Sequence, residues 1–365
     1  MKPGLRPPSA RAQASHIALA SNNGEIGGGE VMLLAMAGAM TKFGIAVTVV
    51  GPQNPTGLLD AAQTRGFDTV ALPSSSRLEY MRALRSWGQR NRNGVLWCNG
   101  LLPAVATAGF RRRVVHLHQR PHGVQVLLAR IGRFRAATTV VPSEYMASFV
   151  RGARVLHNWA ADMSGNTKYE PTRQAQPPIR LGFLGRPSTG KGVDVLAQAV
   201  KILDRESPGR YQLVMGGESR FVDDKSRDKV ETALADLGDL VVRTGWVEPA
   251  EFFERIDCLV CPSVFAESFG LVVTESMSAR IPVVVSDSGA LPEVVGPGHP
   301  WVARTGDAED LARVVQCAGK DDPAAVERSF RRWKSLFSPE AGTERLRLLL
   351  EDLGFSADSQ EKVGL

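Results

Sequence analysis

No run of about 18 or more apolar residues occurs in the 365-residue chain, so no transmembrane helix is expected. Residues 1–15 are polar, with Pro and Arg, and lack the apolar centre of a signal peptide; they read as a disordered leader, and residues 356–365 as a frayed tail. Cysteine is scarce: Cys98, Cys258, Cys261 and Cys317. Cys258 and Cys261 form a C-x-x-C inside an apolar strand-like run, where residues three apart face opposite sides of a sheet, and a buried strand is the reading preferred over a redox or zinc site. No second Cys pair supports a metal, and the usage fits a reducing cytoplasmic setting. Neither an internal repeat nor a nucleic-acid-binding motif is present, and Asp-x-Asp, a common metal signature, is missing. Asp223-Asp224 reads instead as a solvated pair in a charged loop.

The length allows two domains with sizeable cores, and hydrophobic and charged contents of 43% and 22% are those of an ordinary globular protein. Charge is distributed unevenly. Residues 1–165 hold nineteen Lys and Arg against seven Asp and Glu, whereas the remainder is acidic. Arg111-Arg112-Arg113 and Arg82, Arg85, Arg90 and Arg92 are the densest clusters. A basic half points to an anionic partner such as a lipid surface or phosphorylated acceptor, or simply to a solvated basic face.

Short apolar runs alternate with amphipathic ones. Strands are expected at His16–Ala20, Ile45–Gly51, Thr69–Leu72, Val95–Cys98, Val114–His118 and Thr138–Pro142. A second series is expected at Arg180–Leu184, Gln212–Met215, Leu240–Arg243, Cys258–Cys261, Val283–Ser286 and Trp301–Ala303. Strands alternating with helices, such as Glu30–Phe43 and Leu78–Arg90, imply doubly wound α/β architecture with parallel sheets. A polar, Pro-rich stretch separates the series. The expected division is a first domain over 16–160, a linker over 161–178, a second domain over 179–337, and a C-terminal helix over 338–355. A long helical pattern covers Ala324–Leu350, with a bend at Ser338-Pro339.

Chemistry concentrates in a few loops. Glu267 and Glu275 lie eight residues apart around Phe269-Gly270. The first sits in a loop after a strand, the second inside a helix-like run over Gly270–Arg280. Carboxylates accept neighbouring sugar hydroxyls, and backbone N–H groups opening a helix hold an anion. The loop Ser21–Glu30, with Gly27-Gly28-Gly29, follows the first strand and opens a helix, so its backbone can approach a phosphate; a plain tight turn is the alternative. It is not a dinucleotide fingerprint, because G-x-G-x-x-G started at Gly27 meets Met32, and started at Gly24 meets Ile26. His116 and His118 share a strand face, with His118 at the carboxyl end, and Arg120 and His122 extend that loop toward an anionic acceptor. The His pair has no third ligand at suitable spacing. Gly185 to Gly192 nearly forms a Walker A loop, but Gly192 stands where Ser or Thr would hold magnesium. Trp246 packs beside a base or in the core.

These segments resemble the retaining glycosyltransferases of family 4, which have the GT-B fold. The resemblance rests on E-x7-E at Glu267–Glu275, G-R-x4-K-G at Gly185–Gly192, and the stretches Ser276–Val284 and Ser288–Val295. It is strong from about 180 to 304 and weaker, but in consistent order, from 16 to 159. It implies two Rossmann-like domains facing across a cleft. The activity implied is transfer of a hexose-type sugar from a nucleoside-diphosphate sugar to a hydroxyl acceptor, which is a glycan, a lipid-linked molecule or a small metabolite. By the same resemblance, His118 and Glu267 orient the donor sugar and Glu275 holds the ribose. Arg186 and Lys191 hold the diphosphate, and Gly28 and Gly29 approach it. Trp246 and Val247 line the base, and Phe269, Gly270 and Leu271 offer backbone N–H groups. Glu293 is expected to be structural. No cofactor and no obligatory metal are expected. Alternatives are an epimerase or phosphorylase on the same fold, or a non-catalytic nucleotide-sugar binder; the enzyme is expected in the cytoplasm, with peripheral membrane contact through its basic half.

Overall fold

A computed structural model describes residues 16–163, 178–218, 222–318 and 322–355. The expected leader and tail, and positions 164–177 of the expected linker, lie outside the described residues.

The first sheet has seven strands: β1 (His16–Ser21), β2 (Ala46–Pro52), β3 (Asp68–Leu72), β4 (Val95–Asn99), β5 (Arg113–His116), β6 (Thr138–Val141) and β7 (Arg154–Val155). Their order is β3-β2-β1-β4-β5-β6-β7, and every pairing is parallel. The second sheet has six: β8 (Ile179–Leu184), β9 (Tyr211–Gly216), β10 (Val241–Gly245), β11 (Cys258–Cys261), β12 (Val283–Ser286) and β13 (Val302–Ala303). Their order is β10-β9-β8-β11-β12-β13, again all parallel. Runs such as Val-Val-Val at β12 form strands because β-branched side chains fit a pleated surface buried on both faces. Strand β11 shows this directly. Cys258 packs into one buried cluster and Cys261 into another, and desolvation pushes their thiols up to about 12 and about 11.

The strand order reverses between β1 and β4 in the first sheet, and between β8 and β11 in the second. In open α/β sheets such reversals splay the loops at the carboxyl ends of the strands and leave a ligand crevice.

The two compact units do not follow chain order. Among described residues, the first comprises 16–142, 149–156 and 343–355; the second comprises 143–148, 157–163 and 178–342, less the undescribed positions. The boundary expected after residue 160 therefore falls after 156, and residues 143–148 group with the second unit. The cause is hydrogen bonding over long sequence distance. Glu293 accepts the N–H groups of Glu144 and Tyr145, each at 2.8 Å, and Ser143 Oγ donates to the Ser268 carbonyl at 2.7 Å. Ala160 N–H donates to the Phe337 carbonyl at 3.0 Å. Within the first unit, Arg154 pairs with Asp352 at 2.7 Å.

Three local expectations need correction. The fifth strand ends at His116, not His118. The long C-terminal pattern is two helices, Pro323–Leu336 and Pro339–Asp352, because the Pro339 ring cannot continue a helix from residue 338. Asp223 is not a loop residue but the N-cap of the helix Asp224–Ala235, accepting the Ser226 N–H at 2.9 Å.

Candidate active site

In the second unit, the loop after β8 meets the loop after β11. The N–H groups of Val264 and Phe265 donate to the Gly190 carbonyl at 3.0 and 2.9 Å. The first loop turns sharply, with Lys191 N–H on the Ser188 carbonyl at 3.1 Å and Gly192 N–H on the Thr189 carbonyl at 3.0 Å. Gly192 has φ of 71°, and a Cβ there would lie 2.0 Å from the Pro262 carbonyl oxygen. Neither Ser nor Thr fits, which removes the Walker A reading on steric grounds.

That turn aims Lys191 at Glu267. Nζ lies 2.5 Å from Oε1, and Ser263 Oγ donates to the same oxygen at 2.7 Å. Glu267 is buried, yet its Oε2 accepts no hydrogen bond among the described residues. One carboxylate oxygen is held by the protein and the other is unclaimed. The segment around Glu267 is fastened by three neighbours. Ser286 Oγ donates to the Ser263 carbonyl at 2.6 Å, Ser288 Oγ to the Phe265 carbonyl at 3.0 Å, and Ala290 N–H to the Glu267 carbonyl at 2.8 Å. Gly289, at φ of 61°, lies so close that a Cβ would come within 2.3 Å of the Glu267 carbonyl oxygen.

The helix Leu271–Ser278 starts at Gly270, which takes φ of 101° with Leu291 against it. The N–H groups of Gly270, Leu271 and Val272 have no acceptor among the described residues, so the helix start is open to an anion. Phe269 is buried, its ring edge-on to Phe337 with centroids 5.4 Å apart; its side chain is core. Glu275, in the same helix, makes no side-chain hydrogen bond among the described residues, and desolvation pushes its carboxyl up to about 7. Arg186 is exposed and also without a hydrogen-bond or ion-pair partner among the described residues. Trp246, following β10, is 68% exposed, which removes the core alternative for it, while Val247 packs against the buried cluster beneath. Glu293 is structural: it receives the two N–H groups that start the helix Glu144–Ala147.

In the first unit, the loop after β1 meets the ends of β4 and β5. Ser21 Oγ and Asn23 Nδ2 donate to the two oxygens of Glu30, each at 3.0 Å, and lock the loop before the helix Gly28–Lys42. Burial raises the Glu30 carboxyl above its ordinary value, against the pull of those two donors. Gly28 is exposed with open space at its α-carbon, whereas a side chain at Gly29 would meet the His118 ring at 3.7 Å. Asn99 links the pieces: Nδ2 donates to the Gly29 carbonyl at 3.3 Å and Oδ1 lies 2.6 Å from His118 Nε2. With Oδ1 facing the ring, Nε2 carries the proton.

Desolvation pushes His118 down to about 4, so the imidazole is neutral near pH 7. His116 is fully buried, its ring centroid 4.0 Å from that of His118, and receives the Trp97 Nε1–H at 3.4 Å. Burial and then the neighbouring His118 hold it far below its ordinary value. Among the described residues no three His, Cys, Asp or Glu side chains gather to hold a metal ion. Arg120 lies over the Phe149 ring at 3.7 Å, and His122 is exposed.

Sequence reasoning singled out the acids and cations but missed Asn99, Ser263, Ser286 and Gly289, which hold them in place. For Gly289 a signal existed in Ser288-Gly289-Ala290, a small-residue turn after a strand. For Asn99 and Ser286 there was none, because each acts on a residue distant in the chain, and Ser263, only four residues before Glu267, carries no motif of its own.

Residues 178–321 match the family model described as Glycosyl transferases group 1. The chain is 31% identical over 149 residues to the O-antigen chain mannosyltransferase B of Escherichia coli, covering 38% of this chain and 36% of that one. It is 30% identical over 182 residues to a D-inositol 3-phosphate glycosyltransferase of Corynebacterium jeikeium, covering 47% and 43%. The chain thus spans about two fifths of the length of these curated relatives. Among solved structures, Anabaena Alr3699/HepE in complex with UDP-glucose superposes with a TM-score of 0.77 at 16% identity, covering 92% of this chain and 99% of that one. Sucrose-phosphate synthase from Thermosynechococcus elongatus gives 0.75 at 19%, covering 93% and 99%. The two doubly wound units have the GT-B fold.

Proposed function

We propose that this protein is a retaining glycosyltransferase of family 4. It moves a hexose-type sugar from a nucleoside-diphosphate sugar to a hydroxyl on an anionic or lipid-linked acceptor. The observation that carries the donor half is the Lys191–Glu267 pair, with its unclaimed Oε2, beside the open N–H groups of Gly270 and Leu271. Glu267 Oε2 suits a sugar hydroxyl. Lys191, the exposed Arg186 and the helix start suit a diphosphate, whose negative charge grows as the sugar bond breaks. Cations and N–H groups already in place stabilise that charge without reorganising.

Those cations supply the charge that a metal would otherwise bring, so transfer proceeds without an obligatory metal. Glu275 receives ribose hydroxyls and Trp246 lies along the base. In the first unit, the neutral His118 lies beside Gly29 at the loop that opens the first helix, and Gly28 leaves backbone open to an anion. The leaving phosphate takes the acceptor proton, so no separate general base is assigned. The acceptor half rests on the positive charge of residues 1–165. The relatives' printed activities, a mannosyltransferase and a glycosyltransferase of inositol phosphate, agree in reaction class and differ in acceptor.

The test is a thermal-shift panel with UDP, GDP, ADP, dTDP, CDP and NAD, since a ligand that binds only the native state raises its stability. One nucleoside diphosphate raises the melting temperature, and Lys191→Ala and Glu267→Gln abolish that rise. A response to none of them, or to NAD alone, overturns the reading.

A further inference from the structure

One helix of the first unit turns its apolar side outward. Along Val124–Arg133, the inner face is small and buried at Ala129 and Gly132, and a side chain at Gly132 would press on Ala104 at 3.0 Å. Leu127, Ile131 and Phe134, spaced i, i+4 and i+7, lie on the opposite face, 58%, 43% and 59% exposed, and Val124 at the start is 71% exposed. A soluble helix normally reverses this arrangement. Arg130 on the same outer face is exposed, and Arg135 lies over the Phe134 ring at 5.4 Å. The wider segment is equally biased: between Glu79 and Glu144 the chain holds eleven arginines and no Asp, Glu or Lys.

We propose that this face docks on an anionic lipid surface, with Leu127, Ile131 and Phe134 entering the headgroup–acyl boundary and Arg130 and Arg135 meeting lipid phosphates. Exposed apolar side chains beside cations that make no ion pair among the described residues fit that boundary, where apolar burial and attraction to anionic lipid add. Charge argues against a second copy of the chain. A two-fold contact sets the same patch against itself, bringing arginine to arginine with no carboxylate in the segment to compensate. The docking requires nothing of the donor site and is measured without donor, so its failure and a failure of the glycosyltransferase reading are separate results.

The experiment is sedimentation of the full chain with vesicles of phosphatidylcholine containing phosphatidylglycerol, against phosphatidylcholine alone. Binding is expected to the anionic vesicles only, and to fall when salt rises from about 0.1 M to about 1 M, which shortens the screening length from about 10 Å to about 3 Å. Leu127→Ser combined with Ile131→Ser and Phe134→Ser reduces the bound fraction roughly tenfold, since each buried apolar group contributes. Arg130→Gln with Arg135→Gln weakens binding and flattens its salt dependence. Unchanged circular dichroism shows that both variants fold. Absence of binding at low salt overturns the proposal, as does undiminished binding by the triple variant. So does a dimer of the unaltered chain that the triple variant disperses.

Discussion

Lys191 Nζ and Glu267 Oε1 lie 2.5 Å apart, so the cation suited to a diphosphate and the carboxylate suited to its sugar neutralise one another. Their side chains are 32% and 10% exposed, which makes this a partly desolvated pair. On the proposed function, binding a donor becomes an exchange, in which Lys191 turns its charge toward phosphate oxygen and Glu267 keeps the Ser263 hydroxyl while gaining sugar hydroxyls.

Breaking the pair from one side is therefore costly. Lys191→Met leaves a buried carboxylate without its cation. One-sided loss in a fully buried pair costs about 3–5 kcal/mol; with Lys191 partly in water the expectation is about 1–3 kcal/mol. Adding Glu267→Gln recovers part of this, because the stranded charge is gone, and the two substitutions are non-additive. Urea unfolding of the two single variants and the double variant measures the coupling. Additive losses would show that the contact carries no mutual stabilisation.

Glu275 makes stability depend on pH. Desolvation raises its carboxyl from the ordinary 4.5 to about 7, so the native state holds this proton more tightly than the unfolded chain does. The advantage is complete below about pH 4.5 and disappears as pH rises through about 7, a change of at most about 3 kcal/mol at about 1.4 kcal/mol per unit. Glu275→Gln removes the penalty. Its melting temperature should match that of the unaltered chain near pH 4.5 and exceed it increasingly up to about pH 7, with a constant gap above. A gap that does not vary with pH would mean that the carboxyl titrates normally.

Legibility from sequence followed how far each determinant acts along the chain. The β-branched runs at β2 and β12 and the glycines opening helices are local signals, so the strands themselves and the loops carrying Lys191 and Glu267 could be read directly. The two-residue strand β7 offered no period to detect. The fifth strand was drawn too long because Leu117 and His118 continue the apolar alternation, although β5 stops at His116. What the sequence concealed was support. Asn99 reaches His118, and Ser286 reaches Ser263, only because adjacent parallel strands bring their carboxyl ends together. That proximity follows from strand order, which no local pattern contains.

The His118–Asn99 contact predicts a titration. The amide oxygen accepts from Nε2–H, and desolvation keeps the ring neutral, titrating at about 4. Asn99→Asp puts a carboxylate 2.6 Å from that nitrogen and favours the imidazolium, raising the His118 pKa by about 1–3 units. NMR titration of the imidazole Cε1–H resonances reads this directly. An unmoved His118 resonance would place the amide elsewhere in solution. The neutral ring also predicts that turnover does not fall between pH 8 and pH 6 through this histidine, whereas in Asn99→Asp a fall sets in as the pH approaches the raised value of about 5–7.

Two glycines with similar backbone separate strain from positioning. Gly289 and Gly298 both take positive φ, 61° and 77°, so alanine costs about 1–2 kcal/mol at either for backbone conformation alone. At Gly298 nothing lies within 4 Å of the added Cβ. At Gly289 it would meet the Glu267 carbonyl oxygen at 2.3 Å and nitrogen at 2.4 Å, backbone atoms that move only if the whole segment moves. Gly298→Ala should therefore lose about 1–2 kcal/mol and keep the nucleotide-induced thermal shift. Gly289→Ala should lose more, about 3–4 kcal/mol, and lose the shift as well, because Glu267 Oε2 and the open N–H groups beyond it are displaced together. Equal behaviour of the two variants, in stability and in nucleotide response, would sever Gly289 from the placement of Glu267.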